Sequence, residues 1–223
     1  MHPKVLSLKA WKTVRTLTAG GWFESWTLAG GTGLALQLGH RYSEDLDLFK
    51  ADPFRPEQLA EGLSKVGPLR VQSRSADTLH LELDGLRVSF LRAQEPLLFE
   101  GTSYRGLTVA DPRDIAVMKV IAIGGRGSRK DFVDLFYYLK SGGTLEGVFS
   151  LLRRRFQNLD YNEYHLLKSL VYFTDAEKEP MPNMIRMTAW ETVRDTLVAE
   201  VRRLSRAETP QEIPIRITAT SKR

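Results

Sequence analysis

Cysteine is absent from this chain of 223 residues. Its absence excludes disulfides, thiolate metal sites and a cysteine nucleophile, and it is typical of proteins of the reducing cytosol. The sequence also has no charged–apolar–small-residue leader, and its longest apolar runs fall far short of the roughly 20 residues that span a bilayer. No internal repeat or long low-complexity tract is present. These absences predict a soluble, cytoplasmic protein with no membrane partner.

Two hydrophobic patterns divide the chain. From about Trp22 to Val109 short strand patterns alternate with two helical stretches, whereas from Asp111 to Arg206 the apolar period is helical. With 42% hydrophobic residues, the chain can bury one good core with a helical annex. We therefore predict an α+β domain over residues 1–110, a mostly helical domain over residues 111–223, and an active cleft between them.

Three local patterns give more detailed expectations. The strands predicted over 79–83 and 87–91 form a hairpin through Asp84-Gly85. A helix predicted over 5–17 packs on the sheet through Leu8 and Trp11. Residues 212–223 have the character of an extended or frayed tail.

Gly30 and Gly31 directly precede a helix predicted over 32–38, which begins at Thr32. Glycine permits close backbone approach, and the start of a helix offers unpaired N–H groups to an anion. The pattern therefore predicts a site for the phosphates of a triphosphate. The alternative is an ordinary tight turn before a helix.

Asp45 and Asp47 are separated by one apolar residue in a predicted strand, so their carboxylates point to the same face. At a separation of about 6 Å and an effective dielectric of about 20, two such charges repel by roughly 3 kcal/mol. A divalent cation removes this cost, and Mg²⁺ takes both carboxylate and phosphate oxygens. We expect these residues to bind Mg²⁺, the alternative being a solvated strand edge or turn.

The run from Leu28 to Phe49, which contains both motifs, resembles the AbiEii/AbiGii toxin family of nucleotidyltransferases. The resemblance covers roughly residues 20 to 140 and continues at Leu86–Leu91, at Asp111–Lys119, at Arg126 and at Arg129–Leu135. It implies a polymerase-β-like nucleotidyltransferase core with a small mixed sheet, an NTP substrate with Mg²⁺, and a toxin of a toxin–antitoxin or phage-defence pair, with a cognate antitoxin as partner. Relatives in that group transfer nucleotides onto RNA ends, notably those of tRNA.

One position departs from the wider superfamily, which carries a third carboxylate on a later strand. The matching strand here offers Ser89. The identity of the general base is therefore open at this point. Asp131 and Asp134 lie three residues apart on a helix predicted over 128–140. One of them is either the missing carboxylate or a group that orients Lys119. The simpler alternative is a surface ion pair between Lys130 and Asp134.

Other candidate site residues follow from position. Lys119 lies at the edge of an apolar stripe in a helix predicted over 115–123; it either faces the NTP phosphates or extends its head into water. His40 and Arg41 follow a glycine that fits a helix cap, and each is either a nucleotide contact or a structural or solvated residue. Ser43 is either a turn former or, as in some relatives, a serine open to phosphorylation. The glycines at 124, 125 and 127, with Arg126 and Arg129, predict a flexible basic connection, which is either a plain helix–helix turn or a segment that folds over the site and meets phosphates.

Positive charge is concentrated in one part of the chain. Residues 113–155 hold nine Lys or Arg against four Asp or Glu, and the whole chain carries a net charge of +5. The densest cluster is Arg153-Arg154-Arg155, and a second contains Arg202, Arg203 and Arg206. Such clusters bind phosphate backbones in a salt-sensitive way, so beside a nucleotidyl-transfer site they favour an RNA acceptor over solvated helix faces.

Together these features predict a Mg²⁺-dependent nucleotidyltransferase that acts on RNA. Two alternatives stay open. One is a nucleotidyltransferase that modifies a small molecule or a protein, and the other is a catalytically silent module that binds RNA or a partner.

Overall fold

The computed structural model describes residues 1–157 and 161–207. Its strands are β1 (Thr27–Leu28), β2 (Asp45–Lys50), β3 (Leu69–Ser75), β4 (Thr78–Leu83), β5 (Leu86–Arg92), β6 (Thr102–Tyr104) and β7 (Leu107–Val109). They form one mixed sheet in the order β3-β4-β5-β2-β1-β7-β6. β2 runs parallel to β5 and antiparallel to β1, and β1 runs parallel to β7. The carboxylate-bearing strand therefore lies in the middle of the sheet.

The helices are α1 (Leu8–Ala19), α2 (Gly30–Leu38), α3 (Pro56–Ser64), α4 (Pro112–Arg126), α5 (Arg129–Lys140), α6 (Leu145–Arg155), α7 (Glu163–Ser169) and α8 (Trp190–Ala207), with single 3-10 turns at Pro3–Val5 and Ala176–Lys178. No helix in the described ranges is long and apolar enough to cross a bilayer.

One face of the sheet forms the first core. Alternate strand residues such as Leu46, Leu48 and Phe90 are fully buried there and pack with apolar residues of α1 and α3. The expectation for the N-terminal helix is half wrong, because Leu8 is 90% exposed. Trp11 does pack against this core, and its indole N–H donates to the carbonyl of Pro3 at 2.7 Å.

A second core joins the helices α4 to α8. A small cluster of Ala29, Leu34, Ala110 and Ile115 lies where α2 packs on α4. The helix α4 therefore contacts both the sheet unit and the helical unit. The division into residues 1–110 and 111–223 stays a prediction.

The predicted hairpin is confirmed, with Asp84 (φ 50°) and Gly85 (φ 77°) in the left-handed region that a type I′ turn requires. The prediction of a flexible connection at residues 124–129 is wrong for most of that segment. Gly124 and Gly125 lie inside α4, which ends only at Gly127 in the left-handed conformation. Packing of α7 on α4 outweighs the low helix propensity of the two glycines. The tail predicted over 212–223 lies outside the described residues.

Candidate active site

A cavity of about 520 Å³ lies where the sheet meets α2 and α4. Most of the predicted site residues line it, namely Gly31, Thr32, Arg41, Ser43, Asp45, Asp47 and Lys119. Arg87, Arg126 and Lys130 add positive charge to the lining, and Ser89 and His80 continue it along the sheet. Residues from both predicted domains therefore meet in one cleft.

The start of α2 lies directly against the acidic strand. Gly30 adopts φ 59°, and a β-carbon there would overlap the carboxylate of Asp47. The N–H of Ala29 donates to the Asp47 carbonyl at 2.9 Å, and the first bond inside the helix runs from Gly33 N–H to Ala29. The earlier amides of the first turn have no acceptor within the helix and so remain available to an anion.

Asp45 and Asp47 share one face of β2, while Leu46 and Leu48 between and beyond them are fully buried on the other. Burial raises the pKa of Asp47, and the charge of Asp45 raises it further, against the opposing effect of Lys119. Asp45 Oδ1 lies 2.7 Å from Nε of Arg87 but receives no hydrogen bond, because the N–H does not point at it. This oxygen is therefore paired with Arg87 by charge but has no hydrogen-bond donor among the described residues.

A divalent cation fits this pair of carboxylates. In the part of the chain that the structure describes, no cluster of three or more His, Cys, Asp or Glu side chains is arranged to hold a metal. A site with only two protein carboxylates is typical of Mg²⁺, which keeps several waters and takes further oxygens from substrate phosphates. The donor set therefore suits Mg²⁺ brought together with a nucleotide.

Thr32 and Ser43 brace the acidic strand. Thr32 is 1% exposed, and its hydroxyl donates to the carbonyl of Asp45. Its Oγ1 also lies 2.7 Å from Oγ of Ser43. Because one hydroxyl carries one proton, Ser43 is the donor in that second bond. The two side chains thus fix the backbone beside Asp45, while both remain part of the cavity lining.

Lys119 is held between two aspartates of α5. Its Nζ lies 2.7 Å from Asp131 Oδ1 and 2.6 Å from Asp134 Oδ2, and all three residues are buried. Burial alone would lower the pKa of Lys119, but the two carboxylates raise it above its usual value. Lys119 is therefore a fixed cation in the cavity wall.

Asp134 also binds the chain after α2. It accepts from Arg41 Nε at 2.6 Å, from Arg41 Nη2 at 2.9 Å and from His40 Nε2 at 2.8 Å. Burial opposes its ionisation, but Arg41 and Lys119 hold the pKa of Asp134 well below its usual range. His40 is fully buried and outside the cavity lining, so it contacts Asp134 rather than the cavity.

Asp131 is likewise a buried carboxylate that is held as an anion by neighbouring cations. It accepts from Arg126 Nε at 2.8 Å and Nη2 at 3.1 Å in addition to Lys119. Despite burial, Lys119 and Arg126 lower its pKa. Neither Asp131 nor Asp134 lines the cavity, and carboxylates held as anions in this way are poor proton acceptors. The geometry supports the second of the predicted roles, the orientation of Lys119.

The network leaves a net positive charge beside the acidic strand. Burial lowers the pKa of His40, so His40 is neutral at pH 7. The network contains three cations, Lys119, Arg41 and Arg126, and two anions, Asp131 and Asp134, so its net charge is +1. A fixed positive wall thus faces the carboxylates of Asp45 and Asp47 across one cavity, an arrangement that suits a metal-bound polyphosphate.

The arginine run at the end of α6 is not a single basic surface. Arg155 is 7% exposed, donates to the Glu95 carbonyl at 3.1 Å and has its pKa lowered by burial. Arg153 contacts Glu163 in an ion pair, and only Arg154 and Arg153 are exposed. In the second cluster, Arg203 pairs with Glu200 at 2.9 Å. Arg154, Arg202 and Arg206 are exposed, so both clusters keep part of their positive charge at the surface.

Several residues of the cavity lining were not among the predicted site residues, including Arg87, Lys130 and His80. His80 on β4 lines the cavity, and its Nδ1 lies 2.8 Å from Oγ of Ser89. The available signal was the hairpin itself, because its register places His80 opposite Ser89 on the face that alternation assigns to polar residues.

Comparison with known proteins identifies the family of the chain. The family described as nucleotidyl transferase AbiEii toxin, type IV toxin–antitoxin system, matches residues 14–94. An uncharacterized protein of Aquifex aeolicus (strain VF5) is 37% identical over 180 residues, which cover 78% of this chain and 85% of that protein.

Two solved structures share the fold. MenT4, a nucleotidyltransferase toxin from Mycobacterium tuberculosis H37Rv, superposes with a TM-score of 0.55 at 16% identity and covers 87% of this chain and 83% of its own. JHP933 from Helicobacter pylori gives a TM-score of 0.54 at 17% identity, covering 91% of this chain and 94% of its own. The predicted α+β, polymerase-β-like fold is confirmed.

Proposed function

The chain belongs to the AbiEii family of nucleotidyltransferase toxins, and we propose that it transfers a nucleotide from a Mg²⁺-bound NTP to a hydroxyl of an RNA, such as a tRNA end. One observation carries the proposal. Asp45 and Asp47 face Lys119 across a single cavity that also includes the start of α2. Phosphoryl transfer needs carboxylates that bind a metal ion, backbone amides that bind phosphate oxygens, and a fixed cation. The cavity contains all three.

Each part has a role in that reaction. Asp45 and Asp47 would hold the Mg²⁺, which supplies charge neutralisation to the phosphates. The first amides of α2 would bind phosphate oxygens, and Gly30 and Gly31 keep that turn close to the acidic strand. Lys119, held in place by α5, would offset negative charge that develops on the phosphate as the leaving group departs.

An RNA acceptor is supported by charge. Arg87, Arg126 and Lys130 line the cavity, and Arg126 is 60% exposed at its side chain even though it binds Asp131. Exposed cations beside the transfer site attract a phosphate backbone by releasing its counterions. We further propose that the protein is a cytoplasmic toxin controlled by a cognate antitoxin, because its family is described as part of type IV toxin–antitoxin systems.

The test is incubation of the purified protein and Mg²⁺ with each α-phosphate-labelled NTP and, separately, total cellular RNA, protein and small metabolites. We expect label on RNA with the parent and none with Asp47→Asn, which removes one charge at nearly constant volume. Asp52→Asn, at an exposed position after β2, is the matched control and should act as the parent does. Label on protein or metabolites instead would contradict the RNA acceptor, and salt-sensitive RNA binding without any transfer would indicate a silent module.

A further inference from the structure

A row of polar side chains crosses the sheet from the acidic strand to β4. In the parallel pair β2–β5, Asp47 is in register with Ser89, and in the hairpin β4–β5, Ser89 is in register with His80. Neighbouring strands lie about 5 Å apart, so Ser89 is about 5 Å and His80 about 10 Å from Asp47 along this row. Asp47, Ser89 and His80 therefore lie in one row on the cavity face of the sheet.

The two residues form a defined pair. Nδ1 of His80 lies 2.8 Å from Oγ of Ser89, both side chains are half-buried, and both line the cavity. With Nδ1–H as the donor to Ser89, the neutral imidazole keeps its lone pair on Nε2. Among the hydrogen bonds of residues 1–157 and 161–207, none involves Nε2 of His80.

The other carboxylates and histidines near the cavity are committed elsewhere. Asp131 and Asp134 are buried anions that hold Lys119, and His40 is fully buried against Asp134. Asp45 and Asp47 are assigned to the metal. Glu44, exposed at the rim, is the one rival proton acceptor on the cavity lining that the structure describes.

We propose that His80 is the general base of the transfer reaction and that Ser89 is its positioning residue, an inference that rests on the proposed function. His80 Nε2 takes the proton of the acceptor hydroxyl as its oxygen bonds to the α-phosphorus of the NTP. The bond from that phosphorus to the α–β bridging oxygen breaks, pyrophosphate leaves with the electron pair, and the imidazolium returns its proton to water. Ser89 holds the imidazole ring in place through its contact with Nδ1, which leaves Nε2 facing no protein partner in the described part of the chain.

The experiment compares kcat/KM for transfer from labelled NTP to total cellular RNA in the parent, His80→Gln, His80→Gly, Ser89→Ala and Ser89→Thr. Loss of a general base lowers the rate by about a hundredfold or more, and this is expected for both His80 variants. Ser89→Ala should lose up to about tenfold, because it removes only one hydrogen bond, and Ser89→Thr should keep the parent rate.

Controls separate this chemistry from folding and binding. Thr78→Ala changes the same face of β4 two residues earlier and should keep the parent rate. Glu44→Gln tests the rival proton acceptor and should lose far less rate than the His80 variants. Binding of Mg²⁺ with a non-hydrolysable NTP analogue should be unchanged in the His80 variants. Free imidazole should restore transfer to His80→Gly but not to Asp47→Asn.

A second-site variant gives the sharpest readout. Ser89→Asp in the His80→Gln background places a carboxylate next to Asp47 and should recover at least tenfold of the lost rate. An active parent with His80→Gln within twofold of it, or a hundredfold loss in Glu44→Gln alone, would overturn the inference and leave the proposed function standing. A parent that transfers nothing would overturn the proposed function and the inference with it.

Discussion

The guanidinium of Arg41 occupies the space that a β-carbon on Gly31 would need. That guanidinium binds Asp134 through two N–H groups, at 2.6 and 2.9 Å. Gly31 therefore has a packing role beside the anion approach that its sequence motif predicts. The first turn of α2 closes on the ion network only because position 31 has no side chain.

Gly31→Ala should lower the free energy of unfolding by about 1–3 kcal/mol, because the methyl group must displace Arg41 from its bidentate contact. Urea unfolding at pH 7 measures the change. Gly125→Ala is the matched control, since a β-carbon there meets no heavy atom within 4 Å and the position is helical. It should raise stability by up to about 1 kcal/mol. Equal effects of the two substitutions would contradict the packing role.

Asp47→Asn should be at least as stable as the parent at pH 7 in EDTA. Burial raises the folded-state pKa of Asp47, so the folded protein binds this proton more tightly than the unfolded chain does. Ionisation of the carboxyl therefore costs stability as the pH rises through the folded pKa, and asparagine removes that cost. As the pH falls through the folded pKa towards the unfolded value of 3.8, the two proteins should converge, which urea unfolding across pH 3 to 7 will show.

The same variant tests the metal site. Mg²⁺ that binds only the folded parent stabilises it by about 2.7 kcal/mol at a hundred times its Kd, and Asp47→Asn should gain much less. The measurement is the Mg²⁺-dependent shift in melting temperature at fixed pH, with Asp52→Asn as the charge-matched control. Equal shifts in the parent and Asp47→Asn would place the cation elsewhere.

Local patterns in the sequence were sufficient for β2, for the hairpin of β4 and β5, and for the acidic pair. Alternation placed Asp45 and Asp47 on one face, and Asp84-Gly85 defined the hairpin, because both depend on backbone geometry within a few residues. The ion network was beyond such reasoning. Arg41 and Asp134 are 93 positions apart, and their contact depends on how α5 packs against α2.

Two further residues show where a signal existed. Arg155 lies three residues after Leu152 and seven after Val148, both fully or nearly fully buried, so helical spacing places it on the buried stripe of α6. Because Arg155 belongs to a run of three arginines, it was assigned to a basic surface cluster instead. His80 required the hairpin register to be extended to β2, and that parallel pairing is not encoded in any local pattern.

Asp131→Asn should lower the free energy of unfolding by about 3 kcal/mol at pH 7, since it leaves Lys119 and Arg126 with one anion fewer. Lys119 and Arg126 hold the folded pKa of Asp131 below 3.8 against the effect of burial. The stabilisation is therefore complete above that value and is lost as the pH falls through the folded pKa. The gap between parent and variant should be constant from pH 7 to 5 and narrow below 3.8.

Urea unfolding at pH 7, 5, 4 and 3 checks this dependence. Asp175→Asn is the control for a surface pair, because the Asp175 side chain is 59% exposed beside Lys178, and it should cost under about 1 kcal/mol. A gap for Asp131→Asn that stays constant down to pH 3 would show that its carboxylate is not the group that titrates. Transfer activity should fall as well, because Lys119 loses one of the two groups that position it.

Lys130→Gln should weaken RNA binding at every sequence and reduce the slope of log K against log salt concentration by about 1. Lys130 lines the cavity at the first turn of α5 and is not engaged in an ion pair among the described residues. Lys140→Gln changes an exposed lysine about 15 Å further along the same helix and serves as the control. Fluorescence anisotropy with labelled total tRNA from 50 to 300 mM salt gives both slopes. If Lys140→Gln reduces the slope as much as Lys130→Gln, the acceptor binds away from the cavity. If only Lys130→Gln reduces the slope, the RNA backbone passes the same cavity wall that faces Asp45 and Asp47.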